Sequence, residues 1–147
     1  MRIEHSIETR ATPESLWNLL TDPEQIKQWI PELISDEPTT PGQEGVGTKT
    51  RMRLKEGSKI VEYSSEITTF TPPQRLGLRL TGGHLGASPM EVEYRFSQVE
   101  RGTAVHYTST WQPRGLLLRL LSPLLTAVSK RNIRAQFQRL RSLAEAG

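Results

Sequence analysis

The chain has 147 residues, enough for one domain that buries roughly two-thirds of its unfolded-chain surface. Apolar residues make up 35% and charged residues 24%, a globular composition, and the absence of cysteine excludes disulfides, thiol chemistry and cysteine-ligated metals. The charge is unevenly held: residues 114–147 carry seven Lys or Arg against one acid, Glu145, for a net +6, while the rest hold 12 basic and 15 acidic residues, for a net −3.

The pattern begins with a strand, Ile3, His5 and Ile7 alternating with Arg2, Glu4, Ser6 and Glu8. Thr12 is the expected N-cap of a helix with Pro13 at its first position, where the missing N–H costs nothing. Thr21-Asp22-Pro23-Glu24 repeats the device, with Glu24 three residues after Thr21 as in a capping box, and Pro31 stops this second short helix. A Pro- and Gly-rich loop over 38–47 leads into five further strand-like runs. Their inward positions are Thr50, Met52 and Leu54, then Val61, Tyr63, Ser65 and Ile67, then Leu76, Leu78 and Leu80, then Met90, Val92, Tyr94 and Phe96, then Val105, Tyr107, Ser109 and Trp111. One apolar and one polar face throughout predicts an antiparallel sheet solvated on its outside. In the C-terminal stretch, Ile133, Phe137, Leu140 and Ala144 share one helical stripe, while Leu117, Leu121, Leu124 and Val128 form another on the opposite side. Ser122-Pro123 is therefore expected to divide a short helix or lid over 115–128 from a helix that closes the core.

Together these runs resemble the START-like (SRPBCC) helix-grip superfamily, especially its bacterial polyketide cyclase/dehydrase and lipid-transport group. The residues that carry the resemblance are Ala11-Thr12-Pro13-Glu14-Ser15-Leu16-Trp17, Asp22-Pro23 leading to Trp29-Ile30-Pro31, and Glu66-Ile67-Thr68-Thr69-Phe70-Thr71-Pro72-Pro73-Gln74-Arg75-Leu76. Gly102-Thr103-Ala104-Val105 and the closing helix also fit, so the likeness covers nearly the whole chain. It implies an α+β fold, a single domain over 1–147, in which a curved antiparallel sheet grips a long C-terminal helix and encloses an apolar cavity. Members so related include carriers of lipids and hormones, polyketide-processing enzymes and a ribosome-associated group.

Catalytic motifs are sparse. His5, His84 and His106 share no metal-ligand spacing, the glycines around Gly82-Gly83-His84-Leu85-Gly86 form neither a dinucleotide fingerprint nor a P-loop, and no Gly-x-Ser-x-Gly elbow occurs, so no cofactor and no metal are expected. His106 falls on the outward phase and His5 on the inward one; the 82–86 loop is placed at the mouth of the cavity. Glu62, Glu66, Glu91 and Glu93 fall on the solvent side with Arg51, Arg53, Arg75, Arg79 and Arg95, a pattern of cross-strand ion pairs, provided no bulge shifts the register.

The expected cavity wall is Trp29, Met52, Leu78, Met90, Val92 and Trp111, with Tyr63, Tyr94, Tyr107 and Ser65 or Ser109 as its polar groups and His5 as a further lining residue. The same side chains would also serve simply as core. A small hydrophobic or amphipathic ligand such as a lipid, isoprenoid or polyketide, bound without catalysis, is the function expected first. A cyclase/dehydratase using His5 or a tyrosine as proton shuttle is the alternative. Leu117, Leu121 and Leu124 are the candidate lid; with Arg114, Arg119, Lys130 and Arg131 they also suit contact with an anionic membrane surface. The basic helix would equally serve an RNA, ribosome or acidic-protein partner, though no RNA-binding motif accompanies it. No apolar run near Met1 has the form of a signal peptide, so a cytoplasmic location is expected.

Overall fold

The computed structural model describes residues 1–85 and 88–146. β1 (Arg2–Thr9) leads into α1 (Pro13–Thr21) and α2 (Pro23–Trp29). Then follow β2 (Leu33–Pro38), β3 (Lys49–Glu56), β4 (Lys59–Thr71), β5 (Arg75–Gly82), a 3-10 turn at Gly83–Leu85, β6 (Met90–Val99), β7 (Gly102–Thr110) and α3 (Leu116–Ala146). The strands form one open, curved antiparallel sheet in the order β1-β7-β6-β5-β4-β3-β2, with α3 packed against β1 and α2.

Local chemistry explains the opening helices. The Thr12 hydroxyl accepts from the Ser15 N–H at 3.2 Å, and Pro13 follows. The second cap differs from the expected box. Thr21 is still the last residue of α1, and its hydroxyl donates to the Trp17 carbonyl at 2.8 Å. Asp22 instead ends α1 and caps α2, accepting from the Glu24 N–H at 3.1 Å. With no linker between the helices, one residue has to serve both ends.

The structure adds a strand, β2, inside a stretch where alternation fails. A bulge between Leu33 and Ser35 breaks the period of two, and Pro38 ends the strand at the sheet edge, where its missing N–H costs no ladder bond. A second bulge lies between Ile67 and Thr69 of β4, opposite Gly77, where a Cβ would approach Thr68 Oγ1 to 2.8 Å. Because this bulge follows Glu66, the expected outward phase of Glu62 and Glu66 survives. Glu62 pairs with Arg51 at 3.0 Å, Glu91 with Arg79 at 2.7 Å and Glu93 with Arg75 at 2.9 Å. All are exposed, so solvent screening leaves each a minor contribution to stability.

The core lies where α3 crosses the sheet. Leu16, Trp29, Val105, Phe137 and Leu140 are wholly buried there. Ile133, Phe137, Leu140 and Ala144 supply this side of α3, as their common stripe requires. The division expected at Ser122-Pro123 does not occur, because α3 is a continuous helix of 31 residues with Pro123 inside it. Proline removes one backbone hydrogen bond to the preceding turn, but the leucines on both sides are strong helix formers. The buried residues of α3 begin only at Phe137, so nothing folds its first half back as a separate lid. Among the described residues, no helix is long and apolar enough to cross a membrane.

Candidate ligand-binding cavity

Between α3, α2 and the inner face of the sheet lies a cavity of about 330 Å³, within the range typical of small-molecule sites. Most of the sequence-predicted residues lie on its wall: Trp29, Met52, Tyr63, Ser65, Leu78, Met90, Val92, Tyr94 and Tyr107. The structure adds Leu20 and Ile26 from the helices, Leu54, Leu76 and Leu80 from the sheet, and Ile133 with Gln136 from α3. Trp29 is held rigidly, because its indole N–H donates to the Leu19 carbonyl at 2.7 Å and its own carbonyl accepts from Arg139 at 3.3 Å.

His5, Ser109 and Trp111 are not among the lining residues. His5 sits on β1, where its ring stands edge-on to Phe137 at 5.2 Å, so α3 lies over it. Burial, then the Arg134 charge, lowers its pKa and favours the neutral imidazole. Trp111 lies one residue beyond β7, where its indole donates to the Ser88 carbonyl at 3.2 Å and its own carbonyl accepts from the Met1 ammonium at 2.7 Å. Leu117, Leu121 and Leu124 are exposed and do not line the cavity either. His106 points outward as expected, bridging Ser6 at 2.9 Å and Ser97 at 3.0 Å. Of the 82–86 loop, Leu85 lines the cavity, and Gly86 lies outside the described residues.

The cavity is chemically two-sided, and strand register shows why. β5, β6 and β7 contribute Leu76, Leu78, Leu80, Met90, Val92 and two tyrosines. Most of the remaining polar groups come from β2, β3, β4 and the loop before β3, with Thr21 of α1 and Gln136 of α3 outside that side. Asp36 pairs with Met52, which pairs with Tyr63, so these three share one row and one face of the sheet; Thr50 and Ser65 form the next row. Past the end of that face, the Glu56 carboxylate accepts the Tyr63 hydroxyl at 2.5 Å and lies 2.6 Å from His84 Nε2.

Each perturbed group has an identifiable cause. Burial, then the hydrogen bond to Glu56 and the Glu56 charge, push Tyr63 up to about 12. Tyr94 is raised by desolvation and then by Tyr107. Tyr107 is itself raised by burial, against a hydrogen bond with Ser109. Burial also raises Asp36, whose Oδ1 is buried without a hydrogen-bond partner, against a weaker opposing effect of Thr50. Glu44, in the loop between β2 and β3, is raised by burial and then by the Asp36 charge.

Asp36, Glu44 and Glu56 were absent from the expected site. Glu56 was legible, since it continues the inward phase of Thr50, Met52 and Leu54. Asp36 and Glu44 were not, because the first lies on the bulged strand and the second in a loop. Among the described residues, no group of His, Asp and Glu is arranged to hold a metal ion.

No curated protein matches the chain by sequence. Among solved structures, TTHA0849 from Thermus thermophilus is 21% identical, with 97% of this chain and 95% of that one covered and a TM-score of 0.75. Ara h 8.0201 is 16% identical over 97% and 98%, with a TM-score of 0.72. DynU16, from the dynemicin biosynthetic locus, is 18% identical over 96% of this chain, which spans 46% of DynU16, with a TM-score of 0.67. At such identities the likeness is one of fold. The sequence match reaches further: residues 1–145 fit the family described as polyketide cyclase / dehydrase and lipid transport, and the chain belongs to that family.

Proposed function

We propose that this protein binds a small amphipathic molecule in the cavity between α3 and the sheet, and that it does so without chemical conversion. The observation that carries the proposal is the two-sided wall. Leu76, Leu78, Leu80, Met90 and Val92 offer an apolar bed, while Asp36, Thr50, Tyr63 and Ser65 offer hydrogen-bonding groups on the β2–β4 side. A lipid-, isoprenoid- or polyketide-like ligand would lay its hydrocarbon on the bed, gaining about 25 cal/mol per Å² of apolar area buried. Its hydroxyl, carbonyl or amine would meet the polar row. Family membership supports ligand binding in general.

Native mass spectrometry of freshly purified protein, followed by denaturing extraction, tests the proposal. The expected result is a stoichiometric extra mass, lost when Leu78→Trp and Leu80→Trp fill the cavity. A clean apo mass, together with no saturable binding of the neutral probe N-phenyl-1-naphthylamine, would overturn it.

One observation favours the cyclase/dehydratase reading. A carboxyl raised by burial and facing an apolar cavity, as Asp36 does, is suited to donate a proton to a bound carbonyl. On that reading Asp36→Asn abolishes turnover of a poly-β-ketone substrate while retaining its binding. If turnover survives the substitution, Asp36 is not the acid.

A further inference from the structure

The first half of α3 carries leucine where a surface helix ordinarily carries polar residues. Leu116, Leu117, Leu120 and Leu124 are 75%, 69%, 69% and 62% exposed, and Leu121 and Val128 are exposed as well. At 100° per residue, Leu117, Leu120, Leu121, Leu124 and Val128 fall within an arc of about 100°. That arc lies opposite the stripe of Ile133, Phe137, Leu140 and Ala144, which packs into the core. The ridge therefore faces away from the body of the protein.

Charge indicates what covers it. Arg114 precedes the ridge, Arg119 and Lys130 occupy the other face of the same turns, and Arg131 follows. No Asp or Glu occurs anywhere between Glu100 and Glu145. A second copy laid ridge to ridge would bring the flanking Arg114 and Arg131 of each chain to the contact with no acid on this stretch to pair them. Several acids of the sheet exterior are already engaged, Glu62 with Arg51, Glu91 with Arg79 and Glu93 with Arg75. An RNA would pair with the arginines but leave the leucines in water.

We propose that residues 114–131 form a docking element for an anionic lipid surface. The leucine ridge lies in the boundary between headgroups and acyl chains, Arg114 and Arg131 flank it at the level of the lipid phosphates, and Arg119 and Lys130 on the outer face add to the attraction toward an anionic surface. The helix rests in the interface and does not span it, consistent with its length and charge. This inference is independent of what the cavity holds, and its test reads membrane binding alone.

The experiment is co-sedimentation with vesicles of phosphatidylcholine alone or mixed with phosphatidylglycerol. The expected partition onto mixed vesicles exceeds that onto neutral ones by about ten-fold or more and weakens with added salt. Combined Leu117→Gln, Leu120→Gln and Leu124→Gln lowers it by at least about ten-fold, because each leucine removed takes apolar area out of the interface. Combined Arg119→Gln, Lys130→Gln and Arg131→Gln abolishes the preference for phosphatidylglycerol. Circular dichroism checks that each variant keeps its fold. Wild-type protein that stays in the supernatant, or a folded leucine variant that binds as well as wild type, overturns the proposal. So does a wild-type dimer by light scattering that the leucine changes dissolve while vesicles recover nothing.

Discussion

Phe137→Ala probes the point where the closing helix is held. The ring is wholly buried and meets four others: His5 at 5.2 Å, Tyr107 at 5.5 Å, Trp29 at 6.2 Å and Tyr94 at 6.4 Å. Those partners sit on β1, β7, α2 and β6, so one side chain touches three strands and a helix. Core Phe→Ala changes cost about 3–5 kcal/mol, the larger values belonging to sites that cannot collapse. Here relaxation would require the sheet and α2 to move together. Trp29, Tyr94 and Tyr107 also line the ligand cavity, so the new void would open toward existing empty space. The expected loss is therefore about 4 kcal/mol, or roughly 8–16 °C in Tm for a chain of this size. Phe137→Leu, which keeps most of the volume, should lose about 1.5 kcal/mol or less. Urea and thermal unfolding followed by circular dichroism would measure both. A loss below about 2 kcal/mol for the alanine variant, with an unchanged denaturant slope, would show that the ring is not the shared contact of the core.

Gly102→Ala should be worse for its size than any exposed glycine change, because a Cβ there would run into the Thr9 carbonyl oxygen. A loss of about 3 kcal/mol or more is expected in chemical denaturation, whereas Gly45→Ala, with open space around its Cβ, should be near neutral. Asp36 is raised by burial, so the folded state favours its protonated form. Stability from this group is present below the ordinary carboxyl pKa and is lost as pH rises through the folded value. Asp36→Asn should therefore raise Tm at pH 7 and lose that advantage near pH 4; equal effects at both would refute the assignment. Tyr63, raised to about 12 from 10.0, contributes stability below its ordinary value that is lost between the two. Spectrophotometric titration should show little tyrosinate at pH ~10.5, and Glu56→Gln should shift the earliest ionisation downward. Its absence would remove Glu56 from the account.

The alternating runs of β1 and β3–β7 assigned their inward faces correctly from the sequence, because a half-buried strand must place apolar residues at every second position. The Thr12-Pro13 start and the stripe of Ile133, Phe137, Leu140 and Ala144 were equally legible, since caps and helical phase are local chemistry. The expected cavity residues on β3–β7 followed from the strand phase, whereas Trp29 lies on α2. Tertiary structure decided the rest. Asp22 became the shared cap because two helices abut; β2 escaped notice because a bulge and an edge position relax the alternation. His5 kept its inward phase, yet α3 packs over it and closes it off from the cavity. Locally Pro123 is a break signal, but whether a proline ends a helix depends on whether the adjoining segment has a surface to fold onto, and the first half of α3 has none. Local periodicity thus determined which face each element buries. What lies across from that face, and so which inward residues meet a core and which meet a cavity, depended on contacts between residues as far apart in the chain as His5 and Phe137.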